Sequence, residues 1–214
     1  GQQYGFSVTE FDEILSPHHD RIASSTVRHA LQAGDIRAAN ALLGYDYGIS
    51  GRVIHGRKLG RTLACPTLNL VPRMANPAFR GIAVVAVTGL DDGDTDKNAT
   101  PRYGVASLGL RPTVEQTTRY SLEVHVFDWA GNAYGKRVNI RFLHKLRDEV
   151  AYVDLPTLQA AIAQDMANAR AWLVQIDAGI DPRVEIVFGR AGDHHAGEVA
   201  DGQMAAARDA HYAI

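Results

Sequence analysis

The spacing of apolar and polar positions divides the chain into three stretches. In the first, Ser25 precedes a helical pattern over 26–33 that stops at Gly34. Asp35 precedes a second over 36–43 that stops at Gly44. Ser and Asp oxygens accept from the unbonded amides of a first helical turn, and glycine takes the left-handed conformation that ends a helix. Residues 1–48 are therefore expected to hold two short helices joined with almost no loop.

From residue 49 the period changes. Alternating, β-branched runs occur at Gly51–His55, Thr67–Val71, Gly81–Leu90, Arg102–Leu108, Tyr120–Asp128 and Arg137–Leu143. They are parted by turn residues such as Asp91-Asp92-Gly93-Asp94 and Ala130-Gly131-Asn132-Ala133. Six short strands with no helices between them predict a mainly β fold, a closed antiparallel barrel, rather than alternating β and α units. Asp154 then opens a helix over 155–176, with Pro156 in the first turn, where a missing N–H costs little. Leu158, Ile162, Asp165/Met166, Ala169 and Trp172/Leu173 recur at helical spacing and give a stripe that packs on the barrel wall. From Asp177 the pattern decays. A mobile tail is expected over 177–214, with a short helix near 203–210.

Composition narrows the partners. A net charge of −2 over 214 residues gives no electrostatic footprint for nucleic acid or an anionic membrane, so an anionic substrate must be met by local groups or a metal. The single cysteine, Cys65, excludes an internal disulfide and suits a reducing, cytoplasmic setting. No apolar run approaches the ~20 residues that span a bilayer. The opening Gly1-Gln2-Gln3-Tyr4 has no Met, basic region or apolar region, so no secretion signal is expected and a fragment or processed chain fits.

Four segments carry residues suited to chemistry. Gly56-Arg57-Lys58-Leu59-Gly60-Arg61-Thr62 has the wrong spacing and context for the standard phosphate loop, yet its backbone amides can face phosphates. In Pro66-Thr67-Leu68-Asn69, alternation puts the Thr67 hydroxyl and the Asn69 amide on one face, two hard oxygen donors suited to Mg²⁺ shared with phosphates. In the strand around Ser121-Leu122-Glu123-Val124-His125, Glu123 shares a face with Ser121 and His125 and can accept a proton from a substrate hydroxyl. In Leu146-Arg147-Asp148-Glu149, between the last strand and the helix, Arg147 can reach a ligand edge or pair with Glu149. Each segment alone also suits a plainer reading: a basic hairpin loop, a polar edge strand, a solvated glutamate beside His125, a charged connector. His18-His19-Asp20 and Asp193-His194-His195 lack the spacing of a metal site.

Taken in order, these segments resemble the riboflavin kinase family, in particular the kinase module of bacterial bifunctional riboflavin kinase/FAD synthetases. Gly51-Arg-Val-Ile-His-Gly56, Gly60-Arg61-Thr62-Leu63 and Pro66-Thr67-Leu68-Asn69 are similar to that family's opening strand, glycine loop and Pro-Thr-Ala-Asn signature. The segments Gly104–Thr113, Glu123–Asp128 with Tyr134-Gly135, Leu146–Glu149 and the helix bearing Asp165, Ala169 and Arg170 continue the likeness over 49–176. The resemblance implies a six-stranded Greek-key barrel with a packed C-terminal helix. It also implies transfer of the ATP γ-phosphate to the 5′-hydroxyl of riboflavin, giving FMN and ADP.

On the same footing, Thr67 and Asn69 would bind Mg²⁺–nucleotide and Glu123 would be the catalytic base. The loop with Gly56, Gly60 and Arg61 would cover the nucleotide, and Arg147 and Glu149 would close over the flavin. Ile22–Arg28 resembles the end of the adenylyltransferase module of bifunctional members. The rest of that module and its His-x-Gly-His motif are not in this sequence, so FAD synthesis is not expected of it. Leu68 stands where the family has Ala, Ala64-Cys65 where it has Gly-Phe, and Ser107 where Asn is common. These departures predict altered packing and weaker nucleotide binding with the chemistry retained. The rival reading is a catalytically degraded, flavin- or nucleotide-binding barrel with a regulatory role.

Overall fold

The computed structural model describes residues 4–5, 7, 21–56, 65–91, 100–112 and 118–178. Gly60, Arg61 and the rest of that loop, Asp92-Gly93-Asp94, Thr113, the two His-His-Asp-type clusters and the expected tail with its helix at 203–210 lie outside the described residues.

Two helices lead in, α1 (Ser24–Ala33) and α2 (Ile36–Leu43). Asp35 caps α2 as expected, its carboxylate accepting from the Ala38 amide at 2.8 Å. Gly34 and Gly44 end the two helices in the left-handed conformation that a Cβ disfavours. Ser25 is not a cap. The N-cap is the extended Ala23, which offers no side-chain acceptor, and Ser25 falls inside the first turn.

Six strands follow: β1 (Gly48–Arg52), β2 (Leu68–Leu70), β3 (Gly81–Thr88), β4 (Arg102–Pro112), β5 (Thr118–Val126) and β6 (Arg137–Arg147). They form one antiparallel sheet in the order β1-β6-β3-β4-β5-β2. β3, β4 and β5 form a meander, and β6 returns to lie beside β3, which is the Greek-key arrangement. Beyond β1 the chain bridges to β2, with the Ile54 amide donating to the Asn69 carbonyl at 2.8 Å, so the barrel is nearly closed. β4 and β6 each run four residues further than their alternation indicates. Charged positions hide the end of β6, where 144–147 pair with β3 through two register shifts. Arg147 is thus the last residue of a strand, not part of a connector.

Strand parity sorts the barrel as the sequence indicates. Leu122, Val124 and Val126 are buried inside, with Leu70, Leu108, Ile140 and Phe142. Phe142 meets Phe79 at 4.9 Å and Tyr47 at 5.5 Å between ring centroids. Leu31, Ile36 and Ala39 of α1 and α2 join this same core, so the helical lead-in and the barrel share one interior. Asn40 ties them further, accepting from the Tyr47 amide at 2.8 Å and donating to Asp46, which pairs with Arg141 of β6.

The last helix, α3 (Leu155–Asp177), is capped by Asp154, which accepts from the Thr157 amide at 2.8 Å. The Thr157 side chain, and then its amide, favour the charged form and hold the Asp154 carboxyl below its usual pKa. The helix lays Ala169, Trp172, Met166 and Leu173 over Val84 and Val105 on the outer wall of β3 and β4, over Leu143 and Leu146 of β6, and over Phe127 just after β5. This second apolar layer covers one part of the outer face and leaves the neighbouring rows of β4, β5 and β2 uncovered by it.

Candidate active site

A row of polar side chains crosses the outer face beside α3. Asn69 on β2 pairs in register with Glu123 on β5, and Glu123 pairs with Ser107 on β4. Alternation produces this row: the inward neighbours Leu70, Leu122, Val124, Ala106 and Leu108 are buried, so the residues between them must face out. Out is not fully wet, however. Asn69 is only 9% exposed, and Glu123 Oε1 is shielded from solvent.

Asn69 also forms part of a cleft of about 250 Å³. One wall carries Thr67, Leu68 and Asn69. The opposite wall is the turn after β5, with Trp129, Asn132 and Tyr134. Gly56 closes one end against Asn69, and a Cβ at Gly56 would overlap the Asn69 amide, so the backbone can come this near only as glycine. The corner is pinned to β5 by His125, whose Nδ1 lies 2.9 Å from the Pro66 carbonyl. Tyr134 packs on His55, ring centroids 3.9 Å apart.

The Thr67–Asn69 corner would offer a hard divalent cation its oxygens only after one rearrangement of the Asn69 amide. Asn69 Nδ2 stands 3.2 Å from the Thr67 carbonyl and 3.4 Å from Thr67 Oγ1. The amide nitrogen, rather than Oδ1, faces the hydroxyl. A half-turn of the terminal amide exchanges the two and gathers three neutral oxygens, a set suited to a cation that keeps other sites for phosphate and water. Among the described residues, no group of three His, Cys, Asp or Glu side chains is placed to hold a metal.

Arg147 and Glu149 approach the row from the other side, and they do not pair with each other. Arg147 forks onto Asp165 of α3, with Nε to Oδ1 at 2.8 Å and Nη2 to Oδ2 at 2.5 Å, and that bond raises its pKa. Its third nitrogen donates to the Asp148 carbonyl. Glu149 accepts from Ser107 Oγ at 2.6 Å and lies over Gly109, where a Cβ would overlap its carboxylate.

Sequence reasoning misses three participants. Asn132 forms part of the far wall from a segment that reads as a turn, and Trp129 joins it from the position just before that turn. Asp165 was visible as the one carboxylate in an apolar helical stripe, a position that requires a cationic partner. Of the departures, Leu68 lines the cleft and packs on the main core. Cys65 is buried just before Pro66, and burial raises its pKa, which keeps the thiol unreactive.

The profile described as Flavokinase, riboflavin kinase, matches residues 43–173, from the end of α2 through nearly all of α3. The chain belongs to the riboflavin kinase family. It is 39% identical over 171 residues to a bifunctional riboflavin kinase/FMN adenylyltransferase of Pseudomonas fluorescens, a match covering 80% of this chain and 52% of that protein. It is 38% identical over 170 residues to the protein of the same description from Escherichia coli (strain K12), covering 79% and 51%. The chain thus spans about half the length of the curated relatives it matches. A crystal structure described as a macrolide-efflux protein from Streptococcus pneumoniae superposes with a TM-score of 0.62 at 27% identity, over 75% of this chain and 50% of that one. No helix among the described residues is long and apolar enough to cross a membrane. All six strands, the cleft and the Asn69–Glu123–Ser107 row fall inside the region that matches the riboflavin kinase profile.

Proposed function

We propose that this chain transfers the γ-phosphoryl group of ATP to the 5′-hydroxyl of riboflavin, giving FMN and ADP. One observation carries the reading: Asn69 belongs at once to the cleft and to the row that holds Glu123. A nucleotide in the cleft would bring its terminal phosphate to Asn69, next to the carboxylate on the neighbouring strand. Membership of the riboflavin kinase family supports riboflavin and ATP as the substrates.

Phosphoryl transfer asks mainly for in-line positioning and neutralised charge. The cleft walls, with Trp129 and Tyr134 opposite Leu68, would hold the base and sugar of ATP. Thr67 and Asn69 would hold Mg²⁺, which would offset phosphate charge that this chain's field does not. Gly56, and Gly60 and Arg61 beyond it, would cover the phosphates. Glu123 would orient the ribityl hydroxyl and take its proton as the new O–P bond forms and the bond to the ADP oxygen breaks. Its shielded oxygen favours a fixed carboxylate over a freely solvated one. Glu149, beside it on Ser107, would accept from the flavin or its polyol, and Arg147 would keep that segment in place.

The test is incubation with riboflavin, ATP and Mg²⁺, with flavins and nucleotides resolved by chromatography. FMN and ADP in equal amounts are expected, without FAD. Riboflavin binding with no ATP-dependent FMN would select the degraded, ligand-binding reading.

A further inference from the structure

Asp165 has no part in the chemistry above, yet it is a carboxylate 6% exposed on the face of α3 that packs against the barrel. Removing such a charge from water costs several kcal/mol unless a well-formed partner offsets it, and an apolar residue would glue the helix down as well. The partner is the Arg147 fork. Its effect does not stop at the helix. Arg147 Nη1 donates to the Asp148 carbonyl at 2.9 Å, and Lys145 Nζ lies 2.6 Å from the Asp148 carboxylate. Asp148 is therefore gripped at its main chain and its side chain. The next residue, Glu149, lies over Gly109 and accepts from Ser107, the register partner of Glu123.

We infer that Asp165 is a positioning residue for the acceptor side of the site: through Arg147 it fixes the path of Asp148 and so places Glu149 beside Glu123. The inference rests on the riboflavin kinase reading for the identity of the acceptor. A second ion pair on the same helix separates this role from simple attachment. Arg170 binds Asp128 at 3.0 and 3.1 Å and lies 4.3 Å over the Phe127 ring, so it also pins α3 to the barrel. It makes no contact with the 147–149 segment among these bonds.

The experiment compares Asp165→Asn, Arg147→Lys and Arg170→Ala in the full chain. The readouts are kcat and KM for each substrate, and amide hydrogen exchange over 148–153. In the first two variants, KM for riboflavin is expected to rise about tenfold while KM for Mg–ATP stays within about twofold, because only the acceptor side is misplaced. Exchange over 148–153 should accelerate in both and stay unchanged in Arg170→Ala. If Asp165→Asn does not fold, Arg147→Lys decides, since it keeps the buried charge neutralised but loses the fork. Both KM values rising together, neither changing, or equal loosening of 148–153 in Arg170→Ala would overturn the inference. Should the unaltered chain form no FMN, the kinase reading falls, and the exchange comparison alone decides the role of Asp165.

Discussion

Asn69 and Glu123 stand directly opposite each other on neighbouring antiparallel strands, so the corner of the cleft and the carboxylate are fixed by a single ladder. A slip of one residue would send one of them into the core, and Leu70 and Leu122 on either side prevent it. This rigidity makes Glu123→Gln a clean test. Glutamine keeps the shape and the ladder but takes no proton. Turnover is expected to fall by roughly two to four decades, the span of a positioned acid–base group, with riboflavin binding retained in a fluorescence titration. Near-normal turnover would remove Glu123 from the mechanism.

Gly56→Ala addresses the other side of the same corner. The added methyl would overlap the Asn69 amide, and Asn69 is too enclosed to move freely. Displacing it by about an ångström is expected to raise KM for Mg–ATP by roughly ten- to a hundredfold. The melting temperature should fall as well, because the overlap strains an enclosed corner. An unchanged KM at varied Mg²⁺ would show that Asn69 does not serve the nucleotide.

The barrel was legible because its strands alternate. Leu122, Val124 and Val126 face in while Ser121, Glu123 and His125 face out, and no long-range information is needed to see it. The caps at Asp35 and Asp154 were legible for a similar reason, since capping is local. What alternation cannot reveal is which strands are neighbours. That Asn69 meets Glu123, and Ser107 meets Glu123 from the other side, depends on the Greek-key order, which the family resemblance supplied and the hydrophobic pattern did not. The Arg147–Asp165 fork was hidden twice over. Charged residues masked the end of β6, and eighteen residues separate the partners. Pairing Arg147 with the nearer Glu149 was the natural expectation, and packing of α3 against the wall overrides it.

Phe142→Ala should separate fold from site. Phe142 is fully buried on β6, between Phe79 and Tyr47, and its amide donates to the Tyr47 carbonyl at 2.9 Å. Truncation leaves a cavity in the core shared by the barrel and the lead-in helices. A loss of about 3–5 kcal/mol is expected in urea unfolding, a large part of the stability of an ordinary domain. By contrast, Asp35→Ala removes one cap and should cost about 1 kcal/mol. The KM values of the folded fraction are expected to be unchanged in both. A loss below 1 kcal/mol for Phe142→Ala would mean that this layer is not the packed centre of the molecule.

The second apolar layer carries a pH dependence. His144 on β6 stacks on Trp172 of α3, ring centroids 5.2 Å apart and planes 8° from parallel. Partial burial against the indole pushes the imidazole below its ordinary value of 6.5, and because the residue as a whole remains exposed the effect is small. The charged form is thus disfavoured in the folded state. Between the lowered value and 6.5 the unfolded chain binds more protons than the folded one, so stability rises with pH through that window and levels off above it. Trp172 can stack equally on a phenyl ring, which has no proton to take. On acidification from about pH 7.5 to about pH 5.5, the melting temperature is expected to fall by about 0.5–1.5 °C more than in His144→Phe, as a shift of a few tenths of a kcal/mol would give. Equal falls in the two proteins would assign the acid sensitivity to other groups and leave His144 a packing residue only.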